Sequence, residues 1–288
     1  MPETTYPTAS WTPGEPIPTI PRRFDSKSVR DIKNYSLSPA FRAYTAVVSP
    51  LGSVQPGDFS DIQQAINYVN SLSIGGKILI RPGTYTISSN ITMYNNISLI
   101  GEDYSTSILN FNSGSNQILM KGVVGTRKRN MILDNLRIKG GRVASDGVVS
   151  IQYADDCSIS RCYFNDNYDT TVKTTYDIKA DNCIRLHVSD NQQVNSFRFL
   201  VVTNSRRVWS DRNYIEGNYG DVWNINTSTY EISISFNNVQ ASNLVATENA
   251  ILFFNTGGVG YANIIGNNFT DTVRRNIYLA TANQTLIA

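Results

Sequence analysis

The chain has 288 residues, of which 41% are hydrophobic and only 17% are charged, and its formal net charge is +2. So small a charge gives no reason to expect a nucleic-acid or anionic-membrane partner, and no apolar run approaches the roughly 20 residues of a transmembrane helix. Low charge with many Asn, Ser and Thr residues is typical of stacked strands joined by tight polar turns, and it argues against a helical bundle.

The first 44 residues predict an extended, proline-rich arm. Seven of the ten prolines lie within the first 39 residues, and proline fixes φ and lacks an N–H, so neither a helix nor a strand ladder is expected. Residues 22–42 carry six basic and two acidic side chains. A solvated linker is one interpretation. The other is an assembly segment that docks on an acidic partner surface through Trp11, Arg22, Arg23, Phe24, Arg30 and Tyr35.

Residues from about 60 to 72 predict one amphipathic helix. Ser60 and Gln63 fit a capping box at its start, and Gly75-Gly76 follows its end. A single helix before a run of strands is suited to cover the open end of a solenoid. The apolar residues at helical spacing are Ile62, Ala65, Ile66 and Val69.

From Gly76 onward the sequence repeats a unit of the form apolar-x-x-N-x-apolar. The equivalent positions are separated by 34, 26, 29, 22, 24 and 30 residues, which indicates a repeat architecture. Strand-like runs such as 199–202 lie between them, without the helical periods of a βαβ fold or the hairpin turns of a sandwich. The equivalent positions are Glu102, Leu136, Cys162, Asn191, Asn213, Asn237 and Asn267.

This pattern predicts an all-β chain, a parallel β-helix of about eight coils over residues 45–288. Each strand would stack on its equivalent one coil earlier, about 4.8 Å away. Asn191, Asn213, Asn237 and Asn267 would then form a column of turn residues. Asparagine tolerates the left-handed conformation expected at such turns, and its amide can bond to the asparagines above and below.

Three segments resemble the opening of the pectin-lyase-like β-helix proteins, which include pectate lyases, polygalacturonases and many phage tailspikes. The segments are 60–66, 75–85 and 97–102. The resemblance covers residues 45–288 as a pattern and is specific over 60–102. It implies a right-handed parallel β-helix and, from the family's habit, a trimer. It implies no reaction, because this scaffold carries enzymes and inert spikes alike.

The catalytic motifs of the family's enzymes are missing or out of order. Arg137-Ile-Lys139 precedes Asp155-Asp156, whereas polygalacturonase-like proteins have the reverse order and two further motifs. We interpret the first segment as a strand with Ile138 inward and the second as a turn. The pairs Arg206-Arg207 and Arg274-Arg275 are interpreted as solvated loop charges, and no calcium-binding carboxylate cluster is recognised.

The three cysteines, Cys157, Cys162 and Cys183, match no zinc spacing, and His187 is the single histidine. We therefore predict no metal site and no cofactor, and we expect three buried free thiols that pack as small apolar side chains. His187 alternates with apolar neighbours and is predicted to point outward from a strand.

One coil carries residue types that fit a glycan site. A glycosidase needs two carboxylates roughly 5–10 Å apart, and sugar rings stack on aromatic side chains. Trp223 lies two residues before Ile225, so on a strand both side chains point to the same face, and Trp223 is predicted to belong to the core. The predicted carbohydrate-binding residues are Asp211, Tyr214, Glu216, Tyr219 and Asp221.

The leading hypothesis is a non-enzymatic virion component, a decoration, fibre or spike-like protein anchored through residues 1–44 to other proteins of a phage-type particle. No signal peptide is recognised, so synthesis in a host cytoplasm is expected. The chain ends soon after the last coil without a second cap, which favours a homo-oligomer, a trimer first. The alternative is a polysaccharide-cleaving or glycan-binding tailspike-like enzyme with a surface glycan at residues 211–230. A bacterial adhesin is disfavoured.

Overall fold

The computed structural model describes residues 44–53, 57–111, 116–141, 146–167, 176–226, 228–240, 249–254, 260–270, 275–279 and 285–287. These residues form one helix and 27 strands, numbered here in chain order and arranged in three sheets called A, B and C. All predicted docking residues of the arm lie outside the described residues, as does Arg274. No described helix is long and apolar enough to span a membrane.

Sheet A has eleven strands, of which β8 pairs off the main path with β12. The strands of sheet A are β1 (Ala46–Val48), β2 (Gly76–Ile80), β5 (Ile97–Gly101), β8 (Lys128–Arg129), β9 (Ile132–Asp134), β12 (Ala154–Ser160), β15 (Ile184–Ser189), β18 (Arg206–Asp211), β21 (Tyr230–Ser235), β24 (Gly260–Ile265) and β27 (Thr285–Ile287).

Sheets B and C have eight strands each. The strands of sheet B are β3 (Gly83–Ile87), β6 (Ser107–Phe111), β10 (Arg137–Lys139), β13 (Tyr163–Asn165), β16 (Gln192–Val194), β19 (Tyr214–Glu216), β22 (Asn238–Gln240) and β25 (Asn268–Thr270). The strands of sheet C are β4 (Ile91–Thr92), β7 (Ile118–Lys121), β11 (Val149–Gln152), β14 (Tyr176–Asp181), β17 (Arg198–Thr203), β20 (Trp223–Asn226), β23 (Asn249–Phe254) and β26 (Arg275–Leu279).

The chain passes from sheet A to sheet B to sheet C and back to A, and each strand pairs in parallel with its equivalent in the next turn. This is a parallel β-helix, so the predicted fold class is confirmed. Inward side chains of the three sheets meet in one core. Phe164, Phe199 and Trp223 pack there edge to face, with ring centroids 6.2 Å apart at each contact, which confirms Trp223 as a core residue.

The helix α1 (Ile62–Ser71) covers one end of this core through Ile62, Ala65, Ile66 and Val69, as predicted. Its N-cap is Asp61, whose carboxylate accepts from the Gln64 N–H at 2.7 Å, so the predicted capping box on Ser60 is wrong. Gln63 instead exchanges hydrogen bonds with the backbone of Thr92 in β4 (2.7 and 3.3 Å). This contact ties the helix to sheet C.

The asparagine column is confirmed, and its geometry is regular. Asn191, Asn213 and Asn237 each donate both the backbone N–H and the side-chain amide to Oδ1 of the next asparagine, at 2.9–3.0 Å. The predicted left-handed conformation lies one residue earlier, at Asp190, Arg212, Phe236 and Gly266, with φ between 53 and 64°. The preceding residue makes the bend, and the asparagine side chain points into it.

Several local predictions can be compared directly with the structure, and some are confirmed while others are wrong. Ile138 is buried in β10, the three cysteines are buried free thiols, and His187 is exposed on β15. The turn predicted at Asp155-Asp156 is wrong, because both residues lie within β12, with Asp156 at φ 55°. Arg206 and Arg207 lie in β18 rather than in a loop, and both bind Glu231.

Candidate functional site

The outward side chains of sheet B form a flat polar and aromatic surface, which we call the tyrosine face. Parallel register places Arg137, Tyr163, Gln192 and Tyr214 beside one another on four successive strands. Because strands in a sheet lie about 4.8 Å apart, this column runs for three strand spacings along the rod. The residue opposite Tyr214 on β22 is Asn238.

Tyr163 is held in place by neighbours on two sides. Its ring meets that of Tyr104, which lies in the turn before β6, edge to face with centroids 6.3 Å apart. The Arg137 guanidinium lies over the same ring, 5.0 Å from its centroid, and donates to Asn165 at 2.9 Å. A cation–π contact and an edge-to-face contact both fix the ring orientation. Tyr163 is thus a pre-positioned, half-exposed aromatic surface.

Tyr214 and Glu216 lie two residues apart on β19 and share the outer face. The Tyr214 hydroxyl lies 3.2 Å from the Glu216 carboxylate and 3.0 Å from the Gln240 amide oxygen. Desolvation, together with the adjacent Glu216 charge, raises the pKa of Tyr214 above its ordinary value. The phenol is therefore protonated at neutral pH and acts as a hydrogen-bond donor.

A polar groove, here called the corner groove, follows the bend between sheets A and B. Its larger part encloses about 570 Å³ and is lined by Arg81, Glu102, Asp134 and Arg161 among others. A smaller part of about 160 Å³ shares Asn135 and Arg161 with it and reaches Tyr104 and Gln192. The corner groove therefore runs directly into the tyrosine face.

Ion pairs between successive coils order the groove. The Arg161 guanidinium binds both carboxylate oxygens of Asp134, one of them at 2.9 Å, and Asp134 also accepts from Ser160 at 2.9 Å. Two coils further, Arg212 binds Asp190 at 2.8 and 3.0 Å and lowers the pKa of that carboxyl. Such bidentate pairs have fixed geometry, so the groove presents its polar atoms at fixed positions.

The five predicted carbohydrate-binding residues do not form one cluster. Tyr214 and Glu216 lie together on the tyrosine face. Asp211 ends β18 on sheet A and pairs with Arg212. Tyr219 is half-buried in the turn after β19. Asp221 is 1% exposed, so its carboxylate is not offered to a surface ligand.

Sequence reasoning missed Arg137, Tyr163 and Gln192, although a signal for them was present. Each directly follows a repeat position, as Tyr214 does. In a stacked solenoid every residue that follows the repeat position points outward in the same column. Alignment of that following position would have shown the tyrosine face. Tyr104 sits in a turn of its own, and no periodic signal marks it.

Within the part of the chain that is described, no group of three or more His, Cys, Asp or Glu side chains is arranged to hold a metal ion. The groups that this surface offers to a ligand are hydrogen-bonding side chains and aromatic rings. Planar amide, carboxylate and guanidinium groups at fixed spacing suit vicinal hydroxyl groups.

Three solved structures with similar folds are a candidate glycosyl hydrolase from Parabacteroides merdae, an α-1,3-glucanase from Streptomyces thermodiastaticus and the tailspike of E. coli bacteriophage HK620, the last with a bound pentasaccharide. Identities are 14, 16 and 15%, with TM-scores of 0.49, 0.48 and 0.44. The similarities cover 62, 83 and 75% of this chain, and 87, 44 and 49% of the others.

At these identities and TM-scores the similarities add nothing to what the strand pairing shows. No protein-family model matches the chain. No curated protein matches it either.

Proposed function

We propose that this chain is a glycan-binding component of a phage-type particle, which holds a surface polysaccharide along the corner groove and the tyrosine face. The supporting observation is the continuity of these two surfaces through Tyr104 and Gln192. A polysaccharide chain is long, repetitive and rich in hydroxyl groups, so a surface that repeats its polar and aromatic groups coil after coil is complementary to it.

The residues of this surface would contact the glycan in two ways, by stacking and by hydrogen bonding. Tyr104, Tyr163 and Tyr214 offer ring surface to the C–H faces of sugar rings, and Arg137 and Gln192 offer planar donors and acceptors to hydroxyl groups. The surface is assembled before a ligand arrives, so little ordering cost accompanies binding.

Attachment to the particle is assigned to residues 1–44, and the whole protein is proposed to assemble as a trimer. The basic excess of residues 22–42 supports docking on an acidic protein surface. Reversal of charge at Arg22, Arg23 and Arg30 should remove the chain from assembled particles and leave glycan binding unchanged. Particles that still carry the variant at the wild-type level would contradict the docking role.

Glycan binding is tested by native electrophoresis of the full chain through gels that contain extracted bacterial O-chains, capsules or teichoic acids. The polysaccharide that retards the wild type is then titrated against Tyr163→Ala, which should bind about tenfold more weakly, or about 1.4 kcal/mol. Tyr68→Ala is the control, because Tyr68 is an exposed tyrosine on α1 (39%) away from the site. Equal affinities of the two variants would refute the proposed site.

The same samples separate binding from cleavage. A binding protein leaves the polysaccharide intact. The appearance of new reducing ends, or of absorbance from an unsaturated product, would support the alternative of a polysaccharide-cleaving enzyme. Loss of such activity in Glu216→Gln would then assign the reaction to this face.

A further inference from the structure

A second aromatic surface lies on the outer face of sheet A. His187 on β15 and Trp209 on β18 are opposite each other in register, and their rings stack with centroids 4.3 Å apart and planes 14° apart. The separation is close to the strand spacing of about 4.8 Å. The two ring planes therefore lie nearly perpendicular to the rod axis, one above the other.

In the part of the chain that the structure describes, no further ring continues this stack at either end. The residue in register before His187 is Ser158, and the residue after Trp209 is Ser233. A serine side chain is far too small to cover an indole. Among the described residues His187 is the only ring in contact with Trp209. One face of the Trp209 ring is therefore covered by His187, and the other faces the level of Ser233.

The open space has the dimensions of a ring. Asn263 follows Ser233 in register on β24, so the next side chain larger than serine in this column stands about 9.6 Å, or two strand spacings, from Trp209. A ring that stacked on Trp209 at the distance seen for His187 would lie above Ser233, midway between Trp209 and Asn263. We call this space the Ser233 slot.

The rim of the slot is polar and its charges are paired. Asp211 and Ser235 lie two residues beyond Trp209 and Ser233 on the same strands, and Asp211 is bound to Arg212. On the other side, Glu231 is bound by Arg207 at 2.6 Å and Arg206 at 3.0 Å. The slot is therefore bordered by the Ser233 and Ser235 hydroxyl groups, the Asn263 amide and these paired charges, with little net charge, which suits an uncharged ring that carries hydroxyl groups.

We propose that the open face of Trp209 above Ser233 binds one uncharged pyranose ring of a glycan. Its C–H face would stack on the indole, and its hydroxyl groups would bond to Ser233, Ser235 and Asn263. The slot is on sheet A, and none of the side chains that would contact the sugar lines the corner groove or lies on the tyrosine face. It adds a second point of contact for glycan and rests on the proposed function only for the class of ligand.

The test fills the slot and leaves Trp209 in place. Ser233→Tyr puts a ring in register with Trp209 where the sugar would lie, and Ser158→Tyr is the matched control at the opposite end of the stack. Trp209→Ala removes the stacking surface. All proteins are full-length and carry Trp11→Phe, so that only Trp209 and the buried Trp223 report in fluorescence.

The probes are the neutral hexasaccharides of the cello-, malto- and manno- series and chitohexaose, titrated to millimolar concentration. We expect at least one to change the fluorescence saturably in the wild type and in Ser158→Tyr. Its affinity should fall at least tenfold in Ser233→Tyr and in Trp209→Ala. Absence of a saturable change with all four probes, or equal affinity in Ser233→Tyr and Ser158→Tyr, overturns the proposal.

Two further readouts distinguish glycan binding in the slot from a contact between copies and from binding on sheet B. If Ser233→Tyr alters the oligomeric mass in solution and leaves the titration unchanged, the stack contacts another copy of the chain, and the proposal is wrong. If Tyr163→Ala weakens binding of the hexasaccharide and Ser233→Tyr does not, the proposed function stands without the slot. The reverse result supports the slot and contradicts the tyrosine face.

Discussion

Replacement of Asn213 by alanine is expected to destabilise the fold more than any other single change in the asparagine column. Asn213 Oδ1 accepts from the Asn191 backbone and side chain (both 3.0 Å), and the Asn213 Nδ2 group, whose two hydrogens it can donate, lies within hydrogen-bond distance of three acceptors, Val188 O, Ser210 Oγ and Asn237 Oδ1 (3.0, 3.1 and 2.9 Å). The side chain is 1% exposed, so water cannot replace these bonds without rearrangement.

The size of the effect follows from the partners left behind. A hydrogen bond contributes about 1 kcal/mol net, and a buried donor without an acceptor costs about 1–3 kcal/mol. Asn213→Ala leaves the buried backbone N–H of Asn191 without an acceptor. A loss of about 3–5 kcal/mol in the free energy of unfolding is therefore expected. Asn267 is partly exposed at the end of the column, and Asn267→Ala should cost about 1–2 kcal/mol because water reaches the partners it leaves.

Urea denaturation followed by circular dichroism measures both variants against the wild type, with the m-value checked for loss of cooperativity, since repeat proteins can unfold in parts. A cost below about 1 kcal/mol for Asn213→Ala, or equal costs at the two positions, would refute the role given to the column.

Four further results are expected. Burial raises the pKa of Asp177 well above its ordinary value, so folding stability should fall as pH rises through that pKa; Asp177→Asn should exceed the wild type in stability at pH 8 and match it at pH 4, in paired urea titrations. The pKa of Asp190 is lowered chiefly by its hydrogen bond from Arg212, so its contribution is lost as pH falls below about 4, and Asp190→Asn should flatten the acid limb of a stability–pH curve. Asp61→Ala should cost about 1 kcal/mol through loss of the helix cap; a thermal scan unchanged from wild type would contradict that. Burial raises the pKa of each cysteine thiol to about 12, so a thiol reagent at pH 8 should label them only after urea is added: Cys157, Cys162 and Cys183.

Much of the fold could be predicted because stacked coils need similar residue types at equivalent positions, and this periodicity is visible in the sequence. The apolar spacing of α1 and the recurrence of Asn191, Asn213, Asn237 and Asn267 are both consequences of periodic geometry. The position of the left-handed residue could not be read in the same way, because several residue types occupy it, from Asp190 and Arg212 to Phe236. The backbone at that position has a positive φ in every coil of the column, but no single residue type is shared there, so the sequence shows no repeat.

The candidate site was predicted only in part. The alternation of side chains between the inner and outer face can be predicted along a strand, but it does not continue through a bend. Tyr214 and Glu216 share a face since they are two residues apart on β19. Asp221 lies in the bend between sheets B and C, where it and the next two residues are all buried. Proximity across coils, such as that of Tyr104 to Tyr163, depends on loop lengths that no repeat fixes.

The proposed function is tested most directly by a crystal structure of the full chain with the polysaccharide fragment that retards it in native gels. We predict sugar rings in contact with Tyr104, Tyr163 and Tyr214, with the glycan continuing into the corner groove beside Arg161. Sugar bound on sheet C, with the corner groove and the tyrosine face both empty, would contradict the proposed function.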